Sequence, residues 1–168
     1  MNRYFLAAVA ALAACGGSIS TTPGQSSSCT VTLSGGLTGT YDCKPATTAW
    51  ASSDNQGAFA FQVSQAGTTP QISVAIGIKG EPAAGTYTTT TTGVTSGIAV
   101  NTGSGASGQY WVESSGGGTT LGTFTLTFSS VTNAIVASNG KVYDGEGTLD
   151  ATLPATGSGA AITLHATF

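Results

Sequence analysis

Side chains able to do acid–base or metal chemistry are few: 7 Asp and Glu, 4 Lys and Arg, and 1 His in 168 residues. Asp144, Glu146 and Asp150 form the densest group. If 142–153 runs as one strand, period-two pleating points all three to one face, with Thr148 and Thr152. Carboxylates beside hydroxyls are the hard oxygen donors that Ca2+ takes, about six to eight at a time. A single strand cannot wrap a cation, and the spacing matches no calcium loop. The expectation is therefore a solvated outer face with no metal or cofactor, Ca2+ binding being the alternative. Glycoside hydrolysis would need a second carboxyl group across a scissile bond, and folding would have to bring Glu113 or Asp54 to this cluster.

Trp111 and Glu113 are the second candidate. Alternation sets them opposite Tyr110 and Val112, so one of the two neighbouring aromatics looks outward. An exposed ring stacks on a pyranose face, and an adjacent carboxylate accepts from sugar hydroxyls, so the pair suits a glycan. The competing reading is a Trp packed in the core. His165 alternates with Ile162 and Leu164, which places it outward among threonines. No G-x-S-x-G elbow accompanies it, so it reads as an exposed surface His rather than a triad base. Residues 103–108 match G-x-G-x-x-G, but a strand pattern follows at 109–112 where a dinucleotide site needs a helix. With 25 glycines in the chain, that match is chance.

The composition narrows the class of protein that could carry these residues. Charged residues are 7% of the chain against 40% hydrophobic, which excludes a disordered polyelectrolyte. A net charge of −3 with no basic run excludes nucleic acid as a partner. Scarcity of ionisable groups argues against an enzyme.

The first residues are an address. Met1-Asn2-Arg3 carries one positive charge and is followed by an uncharged run from Tyr4 to Ala14, the layout of a secretory signal peptide. As a helix that run rises only about 16 Å, too short to span a bilayer core of about 30 Å. Leu12-Ala13-Ala14-Cys15 resembles the lipobox of bacterial lipoproteins. The resemblance implies a signal peptide over 1–14, a diacylglyceryl group on the Cys15 sulfur, cleavage before Cys15, and acylation of the freed amine. Several acyl chains suffice for stable anchoring. Gly16, where an Asp would signal inner-membrane retention, resembles lipoproteins sorted to the outer membrane. Residues 15–28 then form a lipidated tether whose Gly, Ser and Thr content makes it flexible, with a reach of about 20 Å.

With Cys15 given to lipid, Cys29 and Cys43 remain as an even pair in an oxidising compartment. A hairpin turning near 34–38 sets Cys29 opposite Cys43, Val31 opposite Tyr41 and Leu33 opposite Gly39. That register gathers the apolar residues on one face and brings the two cysteines together, which predicts a disulfide. Beyond a helical turn near 48–52, the rest reads as strands. Phe59, Phe61 and Val63, then Ile72 to Ile78, Phe124 to Phe128, Leu149 to Leu153 and Ile162 to Phe168 all alternate with polar or small residues. Threonine fits the outer positions because its branched carbon suits the pleat while its hydroxyl stays hydrated.

The expected architecture is one all-β domain over 29–168, an antiparallel sandwich of about ten short strands, with an up-and-down barrel as the alternative. The expected role is that of a lipid-anchored envelope protein that acts non-catalytically, by structure or by contact with another envelope protein. A glycan- or Ca2+-binding module is the alternative, and a glycan-acting hydrolase comes last.

Overall fold

A computed structural model describes residues 28–43, 46–63, 70–103, 109–115 and 121–168. The expected leader, Cys15 with the tether as far as Ser27, and positions 104–108 of the glycine run lie outside the described residues. The domain is all-β and antiparallel. Its strands are β1 (Cys29–Gly35), β2 (Gly39–Cys43), β3 (Thr47–Ala51), β4 (Gln56–Val63), β5 (Gln71–Lys79) and β6 (Gly85–Thr88). They continue as β7 (Val94–Asn101), β8 (Tyr110–Ser115), β9 (Thr123–Ala137), β10 (Gly140–Leu153) and β11 (Ile162–Thr167). Two are not short: β9 has 15 residues and β10 has 14. The helical turn expected near 48–52 is instead β3, because pairing with β4 on one side and β10 on the other overrides a weak local preference.

The strands form one 11-stranded sheet with the path β2-β1-β11-β10-β3-β4-β5-β7-β8, and β9 pairs both β10 and β6. β10 is the organising strand. One of its edges pairs with β9 along 140–152, while the other is shared, with β3 taking 140–143 and β11 taking 148–153. The sheet folds over until β8 reaches the chain beyond β10. Val112 N donates to the Pro154 carbonyl at 3.2 Å and Thr156 N to the Tyr110 carbonyl at 2.9 Å, with a bridge between Trp111 and Ala155.

Alternation decides what lies inside. Val31 and Leu33, Phe59 and Phe61, Val74, Ile76 and Ile78, Leu126 and Phe128, Leu149, Ala151 and Leu153, and Ile162, Leu164 and Ala166 are buried in a single core cluster. Phe59 sits at its centre, 5.5 Å from the Phe128 ring and 4.5 Å from the Phe168 ring. These aromatics come from segments far apart along the chain, so their contacts form only once the sheet is assembled.

The first hairpin has the register expected from its alternation: Cys29 opposite Cys43, Val31 opposite Tyr41, Leu33 opposite Gly39. Cys29 and Cys43 are disulfide-bonded, with Cα atoms 5.0 Å apart. Gly35 ends β1 at φ +97° with the Ala161 carbonyl 2.6 Å from where a Cβ would stand, so the turn accepts no side chain there. The bridge closes a loop with a sequence separation of 14, which restricts the unfolded chain by about 3 kcal/mol. Replacing both cysteines by Ala is therefore expected to lower stability by about that amount, measured as a fall in the urea midpoint with a steeper slope as the unlinked unfolded chain exposes more surface.

Candidate functional site

The alternation that buries the core projects a polar lattice on the other side. Across β2, β1, β11, β10, β9 and β6, one row reads Asp42, Thr30, Thr167, Thr148, Thr127, Thr86. The next reads Thr40, Thr32, His165, Asp150, Thr125, Thr88. Ladder geometry spaces these side chains about 4.8 Å across the strands and about 6.7 Å along them. Neighbouring hydroxyls bond across the rungs: Thr32 with Thr40 at 3.4 Å, Thr86 with Thr127 at 3.3 Å, and Ser34 with Thr163 at 2.6 Å in the row beyond.

His165 stands exposed, as its alternation predicts, and its Nδ1 lies 2.6 Å from Asp150 Oδ1 across the β10–β11 ladder. One of the three clustered carboxylates thus already has a partner. The other two belong to a different part of β10. Asp144, Glu146 and Asp150 do share the outer side of one strand, because the register shifts at Val142/Tyr143 and Glu146/Gly147 keep β10 in phase. The extra residue is carried by β9, where Ser129 is skipped between the Phe128–Gly147 and Ser130–Glu146 pairs.

At that bulge, Ser129 Oγ donates to the Glu146 carbonyl at 3.0 Å and Ser130 Oγ to Glu146 Oε2 at 3.3 Å. A groove of about 510 Å³ opens here, lined by Ser28, Thr127, Ser129, Glu146, Gly147, Thr148, Thr167 and Phe168. Strand rise separates Glu146 from Asp150 by about 13 Å, so the three carboxylates do not converge on one cation. Among the described residues, no group of three His, Cys, Asp or Glu is placed to hold a metal.

Trp111 and Glu113 turn the other way. The expectation of an outward ring at this pair falls on Tyr110, which is 37% exposed, whereas Trp111 is 1% exposed and donates its indole N–H to the Ala160 carbonyl at 2.9 Å. The physical reason is the seam: β8 docks on 154–156, and only an inward Trp111 can fill the space beneath it. Trp111 therefore offers no platform to a sugar. Glu113 is fully buried at the end of the apolar row Phe61, Val74, Ile98. Its Oε1 accepts from Ser96 Oγ at 2.8 Å, Ser96 Oγ lies 2.7 Å from Ser115 Oγ, and Oε2 has no hydrogen-bond partner among the described residues. Burial pushes the Glu113 carboxyl above its ordinary 4.5, and the Ser96 hydrogen bond pulls back less strongly. Glu113 faces the core and the 144–150 carboxylates face solvent, so folding does not pair Glu113 with that cluster, and Asp54 stands exposed in the turn between β3 and β4.

A cluster that sequence reasoning missed lies at the start of β10. Lys141 Nζ donates to Glu81 Oε1 at 2.6 Å, Tyr143 Oη donates to the same oxygen, and Lys141 sits 5.5 Å from the Trp50 ring centroid. Both bonds hold the Glu81 carboxyl below its usual range, Lys141 contributing most. Burial, with Glu81 second, holds the Tyr143 phenol above its own. Glu81 is 60 positions from Lys141 in the chain, and no spacing rule links them. The cluster ties the β5–β6 connection to β10 and leaves no charged group of its own unmatched.

No family model, curated protein or solved structure matches the chain.

Inside and outside make different demands on substitution. Trp111→Ala is expected to cost about 3–5 kcal/mol by leaving a cavity under β8, whereas Asp150→Asn, on an exposed pair, is expected to cost under about 1 kcal/mol. Denaturant unfolding of the two variants checks the contrast.

Proposed function

We propose that this chain is a lipid-anchored protein of the bacterial cell envelope, sorted to the outer membrane, that works by contact rather than by catalysis. The lipobox at Leu12-Ala13-Ala14-Cys15 and the Gly at position 16 support the anchor and its destination. The observation that carries the contact reading is the outward lattice of six adjacent strands, whose hydroxyls stand in cross-strand register on a sheet anchored by the core. Each hydroxyl both donates and accepts, so such a face meets a polar partner without stripping water from isolated charges. That suits an envelope protein.

The groove at the β9 bulge favours a second reading, a glycan-binding module. Thr127, Ser129, Thr148 and Thr167 line that groove together with Glu146, a set of hydroxyls and one carboxylate matched to the alternating donors and acceptors of a polyhydroxyl ligand. This site replaces Trp111 and Glu113 as the place where a sugar would bind.

Expression of the full chain in a Gram-negative host fed an alkynyl fatty acid tests the anchor. Label on the wild type and none on Cys15→Ala is the expected result, and equal labelling would refute lipidation at Cys15. Thermal shift with envelope glycan fragments tests the groove. A fragment at a hundred times its Kd adds about 2.7 kcal/mol, a rise of several degrees that Glu146→Gln should reduce. No shift would leave a protein partner, and turnover of the fragments would overturn the contact reading altogether.

A further inference from the structure

Most of the exposed carboxylates have an unremarkable place on the outer face. Glu113 does not. It lies on the strand that closes the sheet, and its neighbours describe a joint with two sides. On one side β8 is held in the full β7 ladder, from Asn101–Tyr110 to Ser96–Ser115. On the other it is held by two backbone bonds to 154–156, by Thr156 Oγ1 on the Tyr110 carbonyl at 3.3 Å and by the Trp111 indole on the Ala160 carbonyl. Just past the carboxyl, Ser114 and Leu121 exchange two bonds of 2.9 Å, and the Cβ position of Gly122, at φ +71°, is 3.3 Å from Glu113 Cβ.

We propose that Glu113 is a protonation-controlled latch on the β8 seam: while its carboxyl is neutral, β8 stays docked on 154–160, and ionisation releases β8 from that segment. Among the described residues, a carboxylate at this position has one hydrogen-bond donor, Ser96, for two oxygens and no counter-charge. Its inward neighbours in the ladder are Ile98, Val74 and Phe61. β7 contains no ionisable residue, β8 contains only the outward Tyr110 besides Glu113, and neither 116–122 nor 154–161 contains any. The cation beside the start of β7, Lys79, is exposed against Gly93, three residues before Ser96. Asp150 and His165 are on the opposite face of the sheet. An ionised Glu113 therefore gains solvation only by opening the joint, and the weaker side of the joint is the one toward 154–160.

The sign follows from linkage. The closed state holds the proton more tightly than an opened, hydrated one, whose carboxyl titrates near 4.5. The closed seam is fully favoured below that value. The open population then grows about tenfold per pH unit and levels off above the raised closed-state value. The freed edge of β8 would present unpaired backbone groups, the arrangement that accepts an added strand.

Hydrogen exchange of the full-length chain, corrected for intrinsic pH dependence, tests the latch. Amides of 109–115 and 154–161 are expected to lose protection as pH rises above about 4.5, roughly tenfold per unit up to the raised closed-state value, while the β4–β5 ladder stays protected. Glu113→Gln should abolish the pH response of the seam. Ser96→Ala, which removes the bond favouring the ionised form in the closed state, should raise the upper limit of the response and so its midpoint, and serves as the second variant should Glu113→Gln fold poorly. Equal pH profiles in wild type and Glu113→Gln, an unmoved midpoint in Ser96→Ala, or loosening of the whole sheet together would overturn the proposal.

Discussion

Everything in this domain depends on the phase of β10. Its two edges serve three strands, β9 along nearly its whole length and β3 and β11 in succession on the other side. Side chains on a strand alternate strictly, so a slip of one residue anywhere along β10 would exchange core and surface for every strand that pairs beyond it. The protein meets this constraint by placing the irregularities on β9. There Ser129 is left out of the register and turns its hydroxyl to the Glu146 carbonyl. Gly147 sits opposite the bulge, where a Cβ would collide with the Thr127 carbonyl. β10 therefore keeps Tyr143, Leu149, Ala151 and Leu153 inside and Glu146, Asp150 and Thr152 outside.

With the phase held, the two faces divide the chemistry between them. Threonine supplies the outer face with branched carbons that fit the pleat and with hydroxyls that bond across the rungs. The inner face is almost wholly apolar, and its polar exceptions are informative. Thr48 is buried beside Phe59 and Tyr143 with no partner for its hydroxyl. Glu113 is buried with one oxygen bonded and one not. A buried unsatisfied group costs about 1–3 kcal/mol, more when charged. In a domain with so few ionisable residues, a carboxyl retained at the sheet's closing strand stands out against the surface positions of Asp42, Glu146 and Asp150.

Alternation made much of this legible in advance. The all-β class, the β1–β2 register with its cysteine pair, the inward faces of β4, β5 and β11, and the outward His165 all follow from period-two patterning within short segments. The same patterning could say that Tyr110 and Trp111 face opposite ways but not which faces in, because that depends on what closes over β8. It could place Asp144, Glu146 and Asp150 on one side of a strand but not find the bulge that makes a groove beside Glu146, since the extra residue is on a different strand. It could not bring Lys141 together with Glu81 and Trp50, because the three come from distant segments. The expected helical turn at 48–52 failed because pairing with two neighbours outweighs a short stretch's own preference.

The sequence by itself thus determined the local quantities: which side chains share a face, which segments pair as a hairpin, and the resemblance of Leu12-Ala13-Ala14-Cys15 to a lipobox. These depend on backbone geometry over a few residues and on side-chain type. Only the tertiary structure decided the strand order, the sharing of one β10 edge by β3 and β11, the burial of Trp111 and Glu113, and the groove at the β9 bulge. Each of those depends on contacts between residues remote along the chain, and the free energy of such contacts exists only after the sheet has closed around its core.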